Sequence, residues 1–312
     1  MSTADPEVDV DAAGVDAVRA RPGALRVATV VRRIVVAALA LVVVVALYEG
    51  YKWMGQQTDD TWPGTNWGLP VPTDDLTMPP TIDIWDSLWE PVQRGRDQTL
   101  ASFLVESAWF TLREAALGFA IGTVVGLALA VAMLRSRAVE RGLLPWVNIS
   151  QTIPLIALAP IVVTWARTTW LSDTQAVALI AAYLTFFPVA VGGLRGLQSP
   201  DEADVELMRS YAAPWRQTLM KVRFPAARPY LFPAFKLAAT LSVVGAIVGE
   251  ISSGVKGGLG RVVLDFASRY STGPEKLYAA VLAAAGLGLV VFGLVSLVER
   301  LLTRGQQPAE AV

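Results

Sequence analysis

The sequence predicts an all-α, polytopic membrane protein with six transmembrane helices, and three observations carry that prediction. Hydrophobic residues make up 54% of the 312 positions and charged residues 17%, a balance that suits a lipid-embedded chain better than a water-soluble one. Six separate apolar runs approach or exceed the roughly 20 residues a helix needs to cross the hydrocarbon. Basic residues gather in alternate connections, as the positive-inside rule requires.

Composition also removes function classes. Cysteine and histidine are absent, which excludes disulfides, a thiol nucleophile, a histidine base and any His/Cys zinc site. Carboxylates remain available, but no pair of them is placed together inside the apolar runs by spacing. No Gly-x4-Gly-Lys-Ser/Thr phosphate loop occurs, so no catalytic residue, cofactor or metal is expected. A net charge of −1 gives no footing for nucleic acid.

Taken in order, residues 1–33 read as an N-terminal tail, of which 1–25, rich in Ala, Asp and Val, is expected to be disordered. Arg32-Arg33 precede the first span, Ile34–Tyr51. A signal peptide also has basic residues ahead of an apolar run, but here the leader is long and acidic and no small-residue cleavage site follows before Lys52, so this run is read as a retained span. Residues 52–100 form an acidic outer segment with Trp53, Trp62, Trp67, Trp85 and Trp89. Within it, Thr81 is placed to cap a short helix on which Ile82, Trp85, Trp89 and Val92 share a face. That face reads either as a surface for an external partner or as an interfacial helix with its indoles at headgroup level.

The core, residues 101–302, holds five further spans: Leu112–Leu134, Leu144–Trp165, Thr174–Leu197, Leu231–Ile251 and Leu277–Val298; residues 303–312 form a second tail. Basic residues crowd the N-terminal tail (Arg19, Arg21, Arg26, Arg32, Arg33), the connection with Arg135, Arg137 and Arg141, and the long connection 198–230. Acids (Asp59, Asp60, Asp74, Asp75, Asp83, Asp86, Glu90) crowd the 52–100 segment. Both termini and the 198–230 connection are therefore expected in the cytoplasm, with Arg261 and Arg269 as exceptions outside.

Gly118, Gly122, Gly126 and Ala130 recur every four residues, a small-residue stripe that lets another helix approach; Ala280, Ala284 and Gly288 repeat the device. Pro154 and Pro160 interrupt the third span and Pro188 the fourth. A proline frees a backbone carbonyl, which membrane depth tolerates only against protein or a wet cavity. Gln151, Thr152 and Pro154 are thus candidates for lining a transport pathway, with a packing kink as the other reading. Intramembrane charge is scarce. Lys236 is expected to snorkel, and Glu250, ahead of Gly257-Gly258-Leu259-Gly260, reads as a carboxylate at the outer mouth with a gating or ion-pairing role. No ladder of buried acids crosses the membrane, which argues against proton coupling.

The 198–230 connection is unusually well constructed. Ser199, Pro200 and Glu202 sit at N-cap, first-turn and third positions, predicting a capping box. Asp201, Glu202 and Asp204 complement the helix dipole, and Val205, Met208 and Ala212 share one face. Pro214 is expected to end this helix and start a second, which runs to Phe224-Pro225. An acidic first turn fits poorly against an anionic inner leaflet, so a docking role competes with simple adsorption to lipid.

This stretch resembles the cytoplasmic signature of ABC-importer permeases, in which Glu-Ala-Ala is followed after three residues by Gly and nine residues later by Ile-x-Leu-Pro. Glu206 matches the Glu, Ala212 stands at the Gly, Val222 at the Ile, Phe224 at the Leu, and Pro225 matches the Pro; Leu207, Met208 and Ala212 depart from the pattern. Thr111-Leu112-Arg113-Glu114-Ala115-Ala116-Leu117-Gly118-Phe119, Ile153-Pro154-Leu155-Ile156-Ala157-Leu158-Ala159-Pro160, and Gly249-Glu250 before Gly258-Leu259-Gly260 extend the likeness from about Met78 to Leu302. Together they are similar to permeases of the nitrate/sulfonate/taurine importer family.

The resemblance implies a MetI-like permease fold in the plasma membrane of a prokaryote. It further implies two permease subunits, the second identical to the first, lining one pathway, two cytoplasmic ATP-binding subunits, and an extracytoplasmic solute-binding protein. The chain itself would not be an enzyme, ATP hydrolysis falling to the partner. Glu206 and Arg209 would contact the ATPase, with Tyr211, Ala212 and Ala213 at the docking turn and Pro225 closing the motif. Glu114 and Ala238-Ala239-Thr240-Leu241 leading to Glu250 resemble the branch associated with thiamine precursors or riboflavin; a nitrate, sulfonate or taurine-type anion is the alternative. An ion-coupled secondary carrier is the competing class.

Overall fold

The computed structural model describes residues 22–62, 67–92 and 97–303. The expectations for Arg19, Arg21, the tail up to residue 21 and the tail from 304 lie outside the described residues. The chain divides into two compact units, up to Thr81 and from Ile82 onward.

In the first unit, α1 (Pro22–Gln57) begins ahead of the expected span, so residues 22–25 are helical where the sequence suggested disorder. Its apolar part, Val35–Gln57, is long enough to cross a membrane. Two acids of the outer segment, Asp60 and Asp75, and Glu49 near the end of α1 are structural. Glu49 accepts hydrogen bonds from the Thr81 backbone N–H (2.8 Å) and hydroxyl (2.7 Å). Lys52, 4% exposed, pairs with Asp75 at 2.7 Å. Asp60, at φ 57°, accepts from the N–H (2.9 Å) and hydroxyl (2.6 Å) of Thr73. These bonds fold the segment back on the end of α1.

In the second unit, short helix α2 (Thr81–Ser87) turns Ile84 and Leu88 toward the core and leaves Ile82, Trp85 and Trp89 exposed. Of the face predicted from spacing, Ile82, Trp85 and Trp89 point outward, but the helix ends at Ser87 and Val92 beyond it packs on the core; the two indoles meet edge to face at 6.3 Å.

Three long helices form the centre: α3 (Leu100–Arg135), α6 (Asp173–Gln198) and α9 (Phe224–Ser253). α3 starts well before the expected Leu112, behind an N-cap in which Thr99 accepts from the Ser102 N–H. Its glycine stripe is buried against α6. A Cβ at Gly122 would lie 2.7 Å from the Ala182 carbonyl oxygen, so the two backbones can touch only because glycine is there. α6 opens with a capping box, in which Ser172 accepts from the Gln175 N–H and the Gln175 side chain accepts from the Ser172 N–H. It runs unbroken through Pro188.

The expected third span is not one rod. α4 (Arg137–Ser150) and α5 (Leu155–Arg167) meet at 98°. Pro154 cannot donate and disfavours helix at Ile153, so the ladder stops after Ser150 and restarts behind the proline. α11 (Pro274–Leu302) packs along α9. Its small-residue stripe is buried at Ala280 but opens toward Gly288 into a groove of about 560 Å³ between the two helices. Lys236 does not simply snorkel: its ammonium pairs with Glu299 of α11 and lies 5.8 Å from the Phe292 ring centroid.

Candidate functional site

Positions along α6 locate three features of the bundle: the connection beyond Leu197 at one end, the break between α4 and α5 near Tyr183, and a pair of buried acids near Thr174 at the other end.

The connection contains α7 (Glu202–Ser210) and α8 (Trp215–Thr218). Ser199 is not its N-cap. The Ser199 hydroxyl donates to the carbonyls of Gly196 (2.8 Å) and Ala226 (3.4 Å), so it serves the end of α6; Asp201 takes the N-cap place without a side-chain bond. The helix ends before Pro214. Ala213 N–H donates to the Met208 carbonyl (3.0 Å) and Ala212 N–H to that of Arg209 (2.8 Å), with Ala212 left-handed at φ 51°. This is a Schellman termination, which usually places glycine at the left-handed residue. Pro214 then precedes α8. The predicted second helix does not stop at Phe224-Pro225: it continues through a π-turn (Leu219–Arg223) into α9 as one helical stretch.

Glu206, Arg209 and Tyr211 are all exposed, Tyr211 at 76%, while Ala213 is half-buried at the turn and Pro225 half-buried in the first turn of α9. The loop is fixed at its base by contacts the sequence reading missed. Arg223 donates to the Leu197 carbonyl at 2.7 Å, the Arg135 guanidinium lies 5.7 Å from the Trp215 ring centroid, and Gln198 donates to Glu140 at 3.1 Å. Only the basic residues closing α3 and the π-turn hinted at them.

Gln151, Thr152 and Pro154 lie exposed at the α4–α5 break. Tyr183 donates its hydroxyl to the Ser150 carbonyl, satisfying one acceptor that the break sets free. Glu250 is not among these residues, so the four pathway candidates do not form one cluster.

Glu250 is also not at an open mouth. It is 0% exposed, and Glu114 of α3 is 1% exposed. Their carboxyl groups face each other within hydrogen-bonding reach, beside Thr111 and Thr174. Spacing alone placed no two acids together; helix packing does. Glu250 also reaches α10 (Leu259–Ala267), accepting from the Gly260 N–H at 2.6 Å, while Thr111 accepts from the Leu259 N–H at 2.9 Å. A Cβ at Gly258 would overlap the Glu250 carboxyl, which explains a glycine there. Among the described residues no three His, Cys, Asp or Glu side chains gather as a metal site.

Residues 122–304 match the family model described as binding-protein-dependent transport system inner membrane component. The formylaminopyrimidine transport permease protein ThiX of Halalkalibacterium halodurans is 33% identical over 204 residues, covering 64% of this chain and 79% of that one. The nitrate import permease protein NrtB of Leptolyngbya laminosa is 24% identical over 216 residues, covering 69% and 74%. Among solved structures, a chain of the MetNI methionine ABC transporter in an inward-facing conformation superposes with a TM-score of 0.57 at 22% identity, over 65% of this chain and 97% of that one. This is a likeness of fold.

Proposed function

Because the chain belongs to the binding-protein-dependent transport system inner membrane components, as a permease subunit of an ABC importer, we propose that its connection between α6 and α9 is the handle through which ATP-binding subunits drive it. In this reading α7 of each of two permease subunits seats in a groove of one of two cytoplasmic ATPases. Glu206 and Arg209 make the polar contacts, Tyr211, Ala212 and Ala213 form the docking turn, and Pro225 sets the exit into α9. A second, identical permease subunit completes the pathway, a solute-binding protein delivers the cargo from outside, and both termini lie in the cytoplasm.

The observation that carries the proposal is the fixed base of an exposed helix. α7 has no buried residue, yet the chain on its far side is bonded to α6 through Arg223 and Leu197. A largely exposed helix held on a braced frame suits docking. Gln151, Thr152 and Pro154, at a break level with the middle of α6, are the proposed pathway residues.

For cargo we favour a thiamine-precursor type of heteroaromatic compound, such as a formylaminopyrimidine, over a nitrate-like anion. The identity to ThiX exceeds that to NrtB. Two basic groups within the spans are engaged, Lys236 with Glu299 and Arg113 over the Trp109 ring at 5.0 Å, which supports an uncharged cargo.

Co-expression of the chain with its candidate ATPase tests the coupling. Glu206→Lys is expected to weaken co-purification and abolish ATP-driven uptake; undiminished association and transport would overturn the assignment. Uptake in proteoliposomes under an ion gradient without the ATPase would instead reveal a secondary carrier. A binding screen on the partner solute-binding protein with formylaminopyrimidines, riboflavin, nitrate and sulfonates tests the cargo separately.

A further inference from the structure

The buried acids Glu114 and Glu250 have no place in the coupling proposal, and their surroundings pose a problem of their own. Glu114 Oε1, Glu114 Oε2 and Glu250 Oε1 are all buried without a hydrogen-bond partner. The remaining oxygen, Glu250 Oε2, is occupied by the Gly260 N–H. A carboxylate offers only acceptors, so two facing carboxylates present acceptor to acceptor. Leaving buried acceptors unsatisfied costs their full desolvation, and more when they are charged.

No basic residue resolves the conflict. Arg113, next in sequence, lies over Trp109. Arg167 donates to Asp173 at 3.1 Å and to the Ser253 carbonyl at 2.6 Å. From α3 the pair meets Thr111, from α6 the Thr174 hydroxyl, which lies near enough to Glu114 to serve at most one of its oxygens, and from α10 the backbone of Gly260; none of these carries a charge. The Thr111 hydroxyl already donates to the Ser107 carbonyl at 3.2 Å.

We propose that Glu114 and Glu250 share one hydrogen, Glu114 donating as a carboxylic acid to the Glu250 carboxylate, and that this bond locks α3, α9 and the N-terminus of α10 together. One hydrogen converts an acceptor–acceptor clash into a short charge-assisted bond, the strong kind of O–H···O contact. It also assigns the two residues different tasks. Glu250 keeps the anionic role that suits a helix N-terminus and holds the Gly260 N–H, while Thr111 holds the adjacent Leu259 N–H. Glu114 is the positioning residue that keeps Glu250 aimed at α10. Gly258 leaves the space the carboxyl group occupies.

The test uses the full chain in its assembled complex and infrared spectroscopy with carboxyl-labelled glutamate. Wild type is expected to show the carbonyl band of a protonated glutamate that shifts in D2O, and Glu114→Gln is expected to lose it. Glu114→Gln, whose amide can donate to Glu250, should retain the wild-type melting temperature, whereas Glu114→Ala should lower it. Absence of the labelled band in wild type would overturn the proposal on its own, even if the variants fail to fold. So would a melting temperature raised by added potassium or calcium in wild type but not in Glu114→Gln, which would assign the pair to a bound cation. None of these readouts depends on coupling to the ATPase or on the cargo.

Discussion

Arg223, in the π-turn ahead of α9, donates to the carbonyl of Leu197 in the last turn of α6 at 2.7 Å, so one bond closes the base of the whole connection. A carbonyl at a helix end has no partner within its own helix, and the guanidinium supplies one. A hydrogen bond to a charged group contributes about 1.5–3 kcal/mol. Arg223→Met is therefore expected to lower the melting temperature and to open the segment between α6 and α9 to protease, with Arg223→Lys recovering part of the loss. Equal cleavage rates in wild type and Arg223→Met would refute the bracing role.

Ala212 holds a left-handed conformation at the Schellman turn. The Cβ costs about 1–2 kcal/mol there, partly offset by the greater entropy glycine loses on folding. Ala212→Gly should stabilise the protein by about 0.5–1 kcal/mol, and Ala212→Val should destabilise it. Thermal melting of both variants against wild type decides; destabilisation by Ala212→Gly would mean that the left-handed turn is not present.

Gly122 of α3 has no room for a methyl group against Ala182 and Thr185, whereas Gly286 of α11 has nothing within 4 Å. Gly122→Ala is expected to cost about 1–3 kcal/mol through overpacking. Gly286→Ala should be neutral or stabilising by up to about 1 kcal/mol through helix propensity. The contrast, measured by melting or by the yield of monodisperse protein, checks the contact between α3 and α6; equal costs at the two sites would contradict it.

Lys236 and Glu299 tie α9 to α11 with side chains only 22% and 26% exposed. Breaking a partly buried pair from one side strands the other charge, so the double alanine variant should be less destabilised than the sum of the two single variants. A double-mutant cycle is expected to return a coupling of about 0.5–3 kcal/mol. A coupling of zero would leave Lys236 as the snorkelling side chain its sequence position first suggested.

The sequence made the local features legible and hid those that depend on tertiary packing. Apolar length located the long helices, and four-residue spacing identified Gly118, Gly122 and Gly126 as a contact stripe, because both follow from the geometry of one helix. The signature from Glu206 to Pro225 led to the family for the same reason: it is contiguous. Ser199 misled because its hydroxyl can serve either of two adjacent helix ends, and in the fold it bonds the Gly196 carbonyl at the end of α6, with the Ala226 carbonyl beside it. Pro154 announced a break but not its angle, which is set by what α4 and α5 pack against. The juxtaposition of Glu114 and Glu250 was invisible because it follows from how α3 lies on α9, which no spacing in the chain records.

From Trp215 to Ser253 the backbone runs as 39 helical residues, a rod of about 58 Å at 1.5 Å per residue. Its stiffness is uneven. The π-turn, Pro225, Pro229 and Pro233 all lie in the half nearest the connection, where each loosens or removes ladder bonds. Beyond Pro233 the ladder is uninterrupted up to the residues that hold α10. The stretch thus pairs a weakened half beside α7 with a regular half that ends at Glu250, so any bend it undergoes is expected nearer the connection than the buried acids.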